Sequence, residues 1–128
     1  MLTTLPIETV HNFSFPRSRR LHGDKIISQV RKTGHRKFST HLSLHYLPDE
    51  RCFQVGFAVS KRCGNAVVRN RIKRLLREYV RHRFSELPQQ GCCLLGAHKA
   101  FSSMTPDILA ELQQLFHRIQ RTIVKTKI

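Results

Sequence analysis

Acidic residues are scarce in this chain: eight Asp and Glu stand against 23 Lys and Arg, which leaves a formal charge of +15 on 128 residues. The eight, Glu8, Asp24, Asp49, Glu50, Glu78, Glu86, Asp107 and Glu111, show no clustering in sequence. Metal-dependent phosphodiester hydrolysis needs carboxylates that converge on the cations, so no catalytic residues are assigned to the polypeptide. A Gly-rich phosphate loop, a zinc-helix motif and a nucleophile elbow are also missing. No apolar run approaches the roughly 18 residues of a membrane-spanning helix, and the N-terminus has no secretory h-region. The chain is therefore expected to be soluble and cytoplasmic, with no membrane partner. Cys52, Cys63, Cys92 and Cys93 lack the paired spacings of a zinc site, and without a secretory signal a disulfide framework is not expected. They read as free thiols, and no metal site is assigned.

What is abundant is positive charge, and nucleic acid is the partner that most directly calls for it. The length suits one domain of about 100 residues with short tails. Residues 1–20 carry Phe13, Phe15, Pro16 and the basic run Arg17, Arg19 and Arg20, and read as a flexible basic arm. Residues 21–123 read as a single RNA-binding domain and 124–128 as a C-terminal tail.

The charge is most ordered in RNRIKRLLRE, Arg69 to Glu78. At 100° per residue Val68, Ile72, Leu75, Leu76 and Tyr79 share one apolar arc, with Val80 at its edge, and that arc should pack on a sheet. Arg69, Lys73, Arg77 and Arg81 recur at spacings of four on the other side, with Asn70 and Arg74 beside them. An ordinary solvated helix face mixes signs, whereas this one carries five cations whose mutual repulsion a polyanion would turn into attraction. Only Arg74 has an acid four residues on, Glu78.

Elsewhere the pattern alternates between helix and strand. Asp24 as N-cap and Gly34 as stop bound a short helix through Ile26, Ile27 and Val30. Lys37 to Leu47 has period two, with Phe38, Thr40, Leu42, Leu44 and Tyr46 on one face and Ser39, His41, Ser43 and His45 on the other. His41 and His45 are the closest histidine pair, and imidazoles on a polar sheet face suit RNA bases better than a metal. Pro48 to Arg51 reads as a turn into a second strand, Phe53 to Val59, paired with the first as a hairpin. Its small or polar positions Gln54, Gly56 and Ala58 leave one face open for a ligand. Ser60 to Asn65 leads into the basic helix, with Asn65 as its cap. Cys92 to Leu95 reads as a strand lying parallel to a neighbour after the helical crossover. Thr105 and Pro106 open a final helix whose Ile108, Leu109, Leu112, Leu115, Phe116 and Ile119 face the core.

The run VGFAVSKRCGNAVVRNRIKRLLRE, Val55 to Glu78, resembles the signature of the bacterial ribonuclease P protein family, and weaker collinear similarity extends from roughly Phe13 to Ile119. The resemblance implies an α+β fold, a small α/β sandwich like ribosomal protein S5 domain 2, in the order α-β-β-β-α-β-α. It also implies a left-handed β-α-β crossover, opposite to the usual rule. The implied function is the protein subunit of an endoribonuclease that removes the 5′ leader from precursor tRNA, with catalysis and magnesium belonging to the RNA subunit. By resemblance Arg69, Asn70, Arg71, Lys73, Arg74, Arg77 and the flanking Lys61 and Arg62 contact the catalytic RNA, and the polar-face reading adds Arg81. The implied leader cleft includes Ile27, Arg31, Ser43, His45 and Ala58. Family members often carry aromatics at the positions of Ile27 and Arg31 and near His45, so stacking there is expected to be weaker here and ionic contact stronger. His98 stands where Arg is common. No obligate protein partner is expected.

Two other classes share part of the pattern. A ribosomal or structural RNA-binding protein would have the charge without stimulating leader cleavage. A sequence-specific DNA reader would present its recognition helix to a major groove, whereas this helix has a buried apolar side.

Overall fold

A computed structural model describes residues 17–100 and 105–127. Seven main elements follow the order expected from the resemblance: α1 (Asp24–Thr33), β1 (His35–Phe38), β2 (Leu42–Cys52), β3 (Gln54–Val59), α2 (Ala66–Arg81), β4 (Gln90–Ala97) and α3 (Thr105–Lys127). The strands form one mixed sheet in the order β1-β2-β4-β3. Strand β2 is antiparallel to β1 and to β4, and β3 is parallel to β4. The parallel neighbour expected for the last strand is therefore β3.

The expected β2–β3 hairpin does not form, because β4 inserts between the two. Packing supplies the reason. Gly91 to Ala97 is buried throughout, on both faces of the sheet, and a doubly covered apolar strand belongs at the centre. Pro48 to Arg51 is correspondingly not a hairpin turn but part of β2, whose register to β4 shifts between Leu47 and Cys52.

Two layers flank the sheet. On one side Leu42, Leu44, Tyr46 and Val55 meet Ile72, Leu76, Tyr79 and Val80 of α2 and Ile108, Leu112, Leu115, Phe116 and Ile119 of α3. Each such buried side chain contributes about 1.5–3 kcal/mol relative to exposure. Tyr79 stacks on Phe116 at 6.0 Å and 12°, tying the two helices together. Leu109 turns outward, unlike its neighbours on the expected apolar stripe. On the other side α1 covers a smaller cluster of Leu21, Val30, Cys92 and Leu94.

Helix ends follow local chemistry. Asn65 caps α2 as expected, its side chain accepting from the Val68 N–H at 3.0 Å. At α1 the cap is Gly23, one residue before the expected Asp24, whose carboxylate instead sits in the first turn near the positive end of the helix dipole. Gly34 ends α1 where a Cβ would meet the Val30 carbonyl at 2.6 Å and the Tyr46 carbonyl at 2.8 Å.

Three boundaries differ from those expected of the sequence. The single strand from Lys37 to Leu47 is broken at Ser39–His41, so its halves fold against each other as β1 and β2. Arg17 to Arg20, expected to belong to a flexible arm, are ordered instead: Arg17–Arg19 form a 3-10 turn and Arg20 bridges to Val55, so this stretch docks on β3. Residues 1–16 lie outside the described residues. Helix α3 runs on to Lys127 instead of giving way to a tail at 124.

Candidate nucleic-acid interface

Helix α2 divides its two faces as the 3.6-residue period requires. Ile72, Leu76, Tyr79 and Val80 are buried, while Asn70, Arg71, Arg74 and Arg77 are exposed or half-exposed and Arg69 and Lys73 are half-buried at the edge of the apolar arc. Lys61 and Arg62 are exposed in a 3-10 turn just ahead of the helix, where Ser60 accepts from the Arg62 N–H at 3.1 Å. Among the described residues, Arg69, Arg71, Lys73, Arg74 and Arg77 have no carboxylate partner.

Arg81 differs from the other helix cations. Its side chain is largely covered and pairs with Glu78 at 2.8 Å. His82 lies on the same carboxylate at 3.2 Å. The hydrogen bond from Arg81 is the main reason the Glu78 carboxyl is held below its ordinary value. The acid expected to offset Arg74 therefore offsets Arg81.

Beside this helix lies an open groove of about 460 Å³ between α1 and the sheet. Arg31, Ser43, His45, Ala58, Gly96 and Lys73 line it. The register explains its floor. Phe38 pairs with Ser43, Ser43 with Gly96, and Gly96 with Ala58, so these four positions form a row across all four strands. With strands about 4.8 Å apart the row is roughly 14 Å wide. A Cβ on Gly96 would meet Ser43 Oγ at 2.9 Å and the Ala58 carbonyl at 3.1 Å, so glycine lets the floor close up.

Four of the five sequence-expected cleft residues thus come together. Ile27 stands behind the lining: half-buried on the inner face of α1, it packs in the cluster of Leu21, Val30, Cys92 and Leu94, which Ala58 also joins. Burial holds the His45 imidazole below its ordinary value, and the nearby Arg31 and Arg36 charges push the same way. Its Nδ1 is buried without a hydrogen-bond partner. His41 leaves the polar face altogether, because after the strand break it bonds Glu111 of α3 at 2.5 Å. The expected His41–His45 alternation disappears with the strand continuity. Among the described residues no three His, Cys, Asp or Glu side chains gather as a metal site.

A second groove, about 580 Å³, opens on the other side of Lys73. Arg17, Arg20, His22, Phe57 and Arg77 line it with Lys73, and the Arg77 guanidinium stands 5.7 Å from the Phe57 ring centroid. The sequence signal for its far wall is the basic run at Arg17 to Arg20, which reads as an arm because nothing in local periodicity predicts docking on β3. Sequence reasoning also misses Phe38 and His98 as neighbours of the first groove. Period two places Phe38 on the core face, but the reversal at Ser39–His41 turns it to the groove side, where it is 51% exposed.

A four-stranded α+β sandwich with a cationic helix beside a basic-walled groove is the arrangement of a small RNA-binding protein. Comparison with known proteins gives the particular family. A ribonuclease P family model matches residues 15–120. Ribonuclease P protein components from Desulfovibrio desulfuricans and Brevibacillus brevis are similar, at 33% and 34% identity over 88% and 84% of this chain and 91% and 86% of theirs. The solved Staphylococcus aureus RNase P protein superimposes with a TM-score of 0.72 at 26% identity, covering 80% of this chain and 94% of that one. The chain belongs to the ribonuclease P protein family.

Proposed function

We propose that this chain divides its work between two surfaces: the α2 cations dock on catalytic RNA, and the groove between α1 and the sheet holds the single-stranded 5′ leader. As a ribonuclease P protein it is the auxiliary, non-catalytic subunit of a ribonucleoprotein whose RNA removes the 5′ leader from precursor tRNA. The observation that carries the division is the position of Lys73. It projects from the α2 face assigned to catalytic RNA and also lines the groove, so one helix borders both surfaces.

The chemistry of each surface fits its assigned role. Arg69, Arg71, Lys73, Arg74 and Arg77 supply unneutralised charge for phosphates, and Lys61 and Arg62 extend it. The groove, with Arg31 and Lys73 on its walls and Ser43, Gly96 and Ala58 on its floor, suits an extended single strand whose bases lie on those small residues. Arg31 and Lys73 would hold its backbone from opposite walls. We assign magnesium to the RNA subunit and the cytoplasm as the compartment.

The test is reconstitution of this protein with bacterial catalytic RNA at low magnesium, with precursor and mature tRNA compared. Stimulated leader cleavage and preferential binding of the precursor are expected. Tight RNA binding without stimulation would instead favour a purely structural RNA-binding role.

A further inference from the structure

Phe38 is half exposed at the β1 end of the groove floor, although burying a phenyl ring is strongly favourable. It is not an isolated surface residue. The His45 ring lies 6.0 Å away at 83°, and the His98 ring 6.2 Å away at 72°. Both contacts are edge-on, so neither imidazole covers the phenyl as a parallel stacking partner would.

The surroundings are cationic. Arg36 pairs in register with His45, and Arg31 stands close enough to perturb the same imidazole. Arg118 of α3 donates to the Phe38 carbonyl at 2.9 Å, which fixes the backbone under the ring. The nearby acid, Glu111, is occupied by Ser39 and His41. An apolar protein partner would gain little from this basic rim, whereas an unpaired nucleotide brings both a π-face and a phosphate.

We infer that Phe38, edged by His45 and His98, is a stacking platform for one unpaired leader nucleobase, with Arg31 and Arg36 attracting the flanking phosphates. This inference rests on the leader-groove reading above. It moves the aromatic surface from α1, where Ile27 and Arg31 stand, to strand β1. The two arrangements place a base at different ends of the floor, because Phe38 lies at the sheet edge beyond Ser43.

The experiment uses reconstituted holoenzyme and precursor tRNA carrying the fluorescent base 2-aminopurine at successive leader positions. One position should be quenched on binding. Phe38→Ala should abolish that quenching and weaken precursor binding on the order of fivefold to a hundredfold, while mature tRNA binding is unchanged. Phe38→Tyr should restore both, and Phe38→Leu should not. Rescue by leucine would overturn the platform in favour of simple apolar packing. Unchanged quenching in Phe38→Ala, with precursor affinity still lowered by Arg31→Ala, would remove the platform and leave the groove reading intact. No precursor-specific effect from either variant would remove both. Equal weakening for precursor and mature tRNA would place Phe38 against another part of the complex and end the leader-base assignment.

Discussion

Glu78 bonds Arg81, three residues on, and not Arg74, four residues before it. Both spacings put side chains on one helix face, so sequence alone leaves the choice open. The outcome concentrates the helix's free charge toward its N-terminal half. Arg71 and Arg74 both reach solvent, and among the described residues neither has a carboxylate partner.

Changing Arg71 and Arg74 together to Ala should therefore weaken assembly with catalytic RNA while leaving the fold intact. For every phosphate that is no longer neutralised, the log-affinity slope against log salt should shrink in magnitude by roughly 0.7 to 0.9. Binding titrations across a salt series, beside a thermal melt of the free protein, check both halves. An unchanged slope would take this face out of the RNA interface.

Helix α2 is legible in both its faces because a period of 3.6 records burial and exposure residue by residue. Sheet order is not, since periodicity says which face a residue takes but not which strand lies alongside. The signal that β4 is central is nonetheless present in Cys92 to Leu95, a run apolar on both parities. Phe38 escapes the pattern for a different reason. The turn at Ser39–His41 is held by Glu111, some 70 residues away in the chain, and no local pattern announces that bond.

That same bond gives the fold an acid-sensitive clasp. Burial alone would raise the Glu111 carboxyl, but hydrogen bonds from the Ser39 hydroxyl, the His41 ring and the His41 N–H outweigh it and leave it below the ordinary value. A depressed carboxylate adds stability that is full above its unfolded pKa, about 4.5, and is lost as pH falls through the folded value. The wild type should thus lose more stability than Glu111→Gln below about pH 4.5, and the variant should be less stable near neutrality. Urea titrations of both proteins from about pH 3 to 7 test the crossing trend; parallel curves would show that Glu111 does not couple to folding.

Replacing Gly91 should be costly to the fold. Its φ is +111°, and an added Cβ would collide with Tyr46 Oη, whose hydroxyl donates to the Gln90 carbonyl at 2.6 Å. Gly91→Ala combines backbone strain with displacement of a buried ring, about 2–4 kcal/mol. Gly23 offers the control: its φ is +108°, but the nearest atom to an added Cβ is 3.7 Å away, so Gly23→Ala should cost only the strain, about 1–2 kcal/mol. Equal denaturation midpoints for the two variants would refute the contribution of the Tyr46 contact.

Arg31 gives the sharpest test of the groove itself. It is exposed on α1, lines the groove opposite Lys73, and lies near enough to His45 to lower its basicity. Arg31→Ala removes one wall cation without disturbing the cluster beneath the helix, where Val30 and Ile27 do the packing. Precursor tRNA should bind roughly fivefold to tenfold more weakly, equivalent to the net ~1 kcal/mol of one hydrogen bond at an exposed site, and mature tRNA should bind as before. Arg31→Lys should recover part of the affinity, since it keeps the charge but not the planar fork. The comparison between the two RNAs decides the matter, because only the precursor carries the added strand: weakening of equal size would make Arg31 a general RNA contact and take the leader out of the groove.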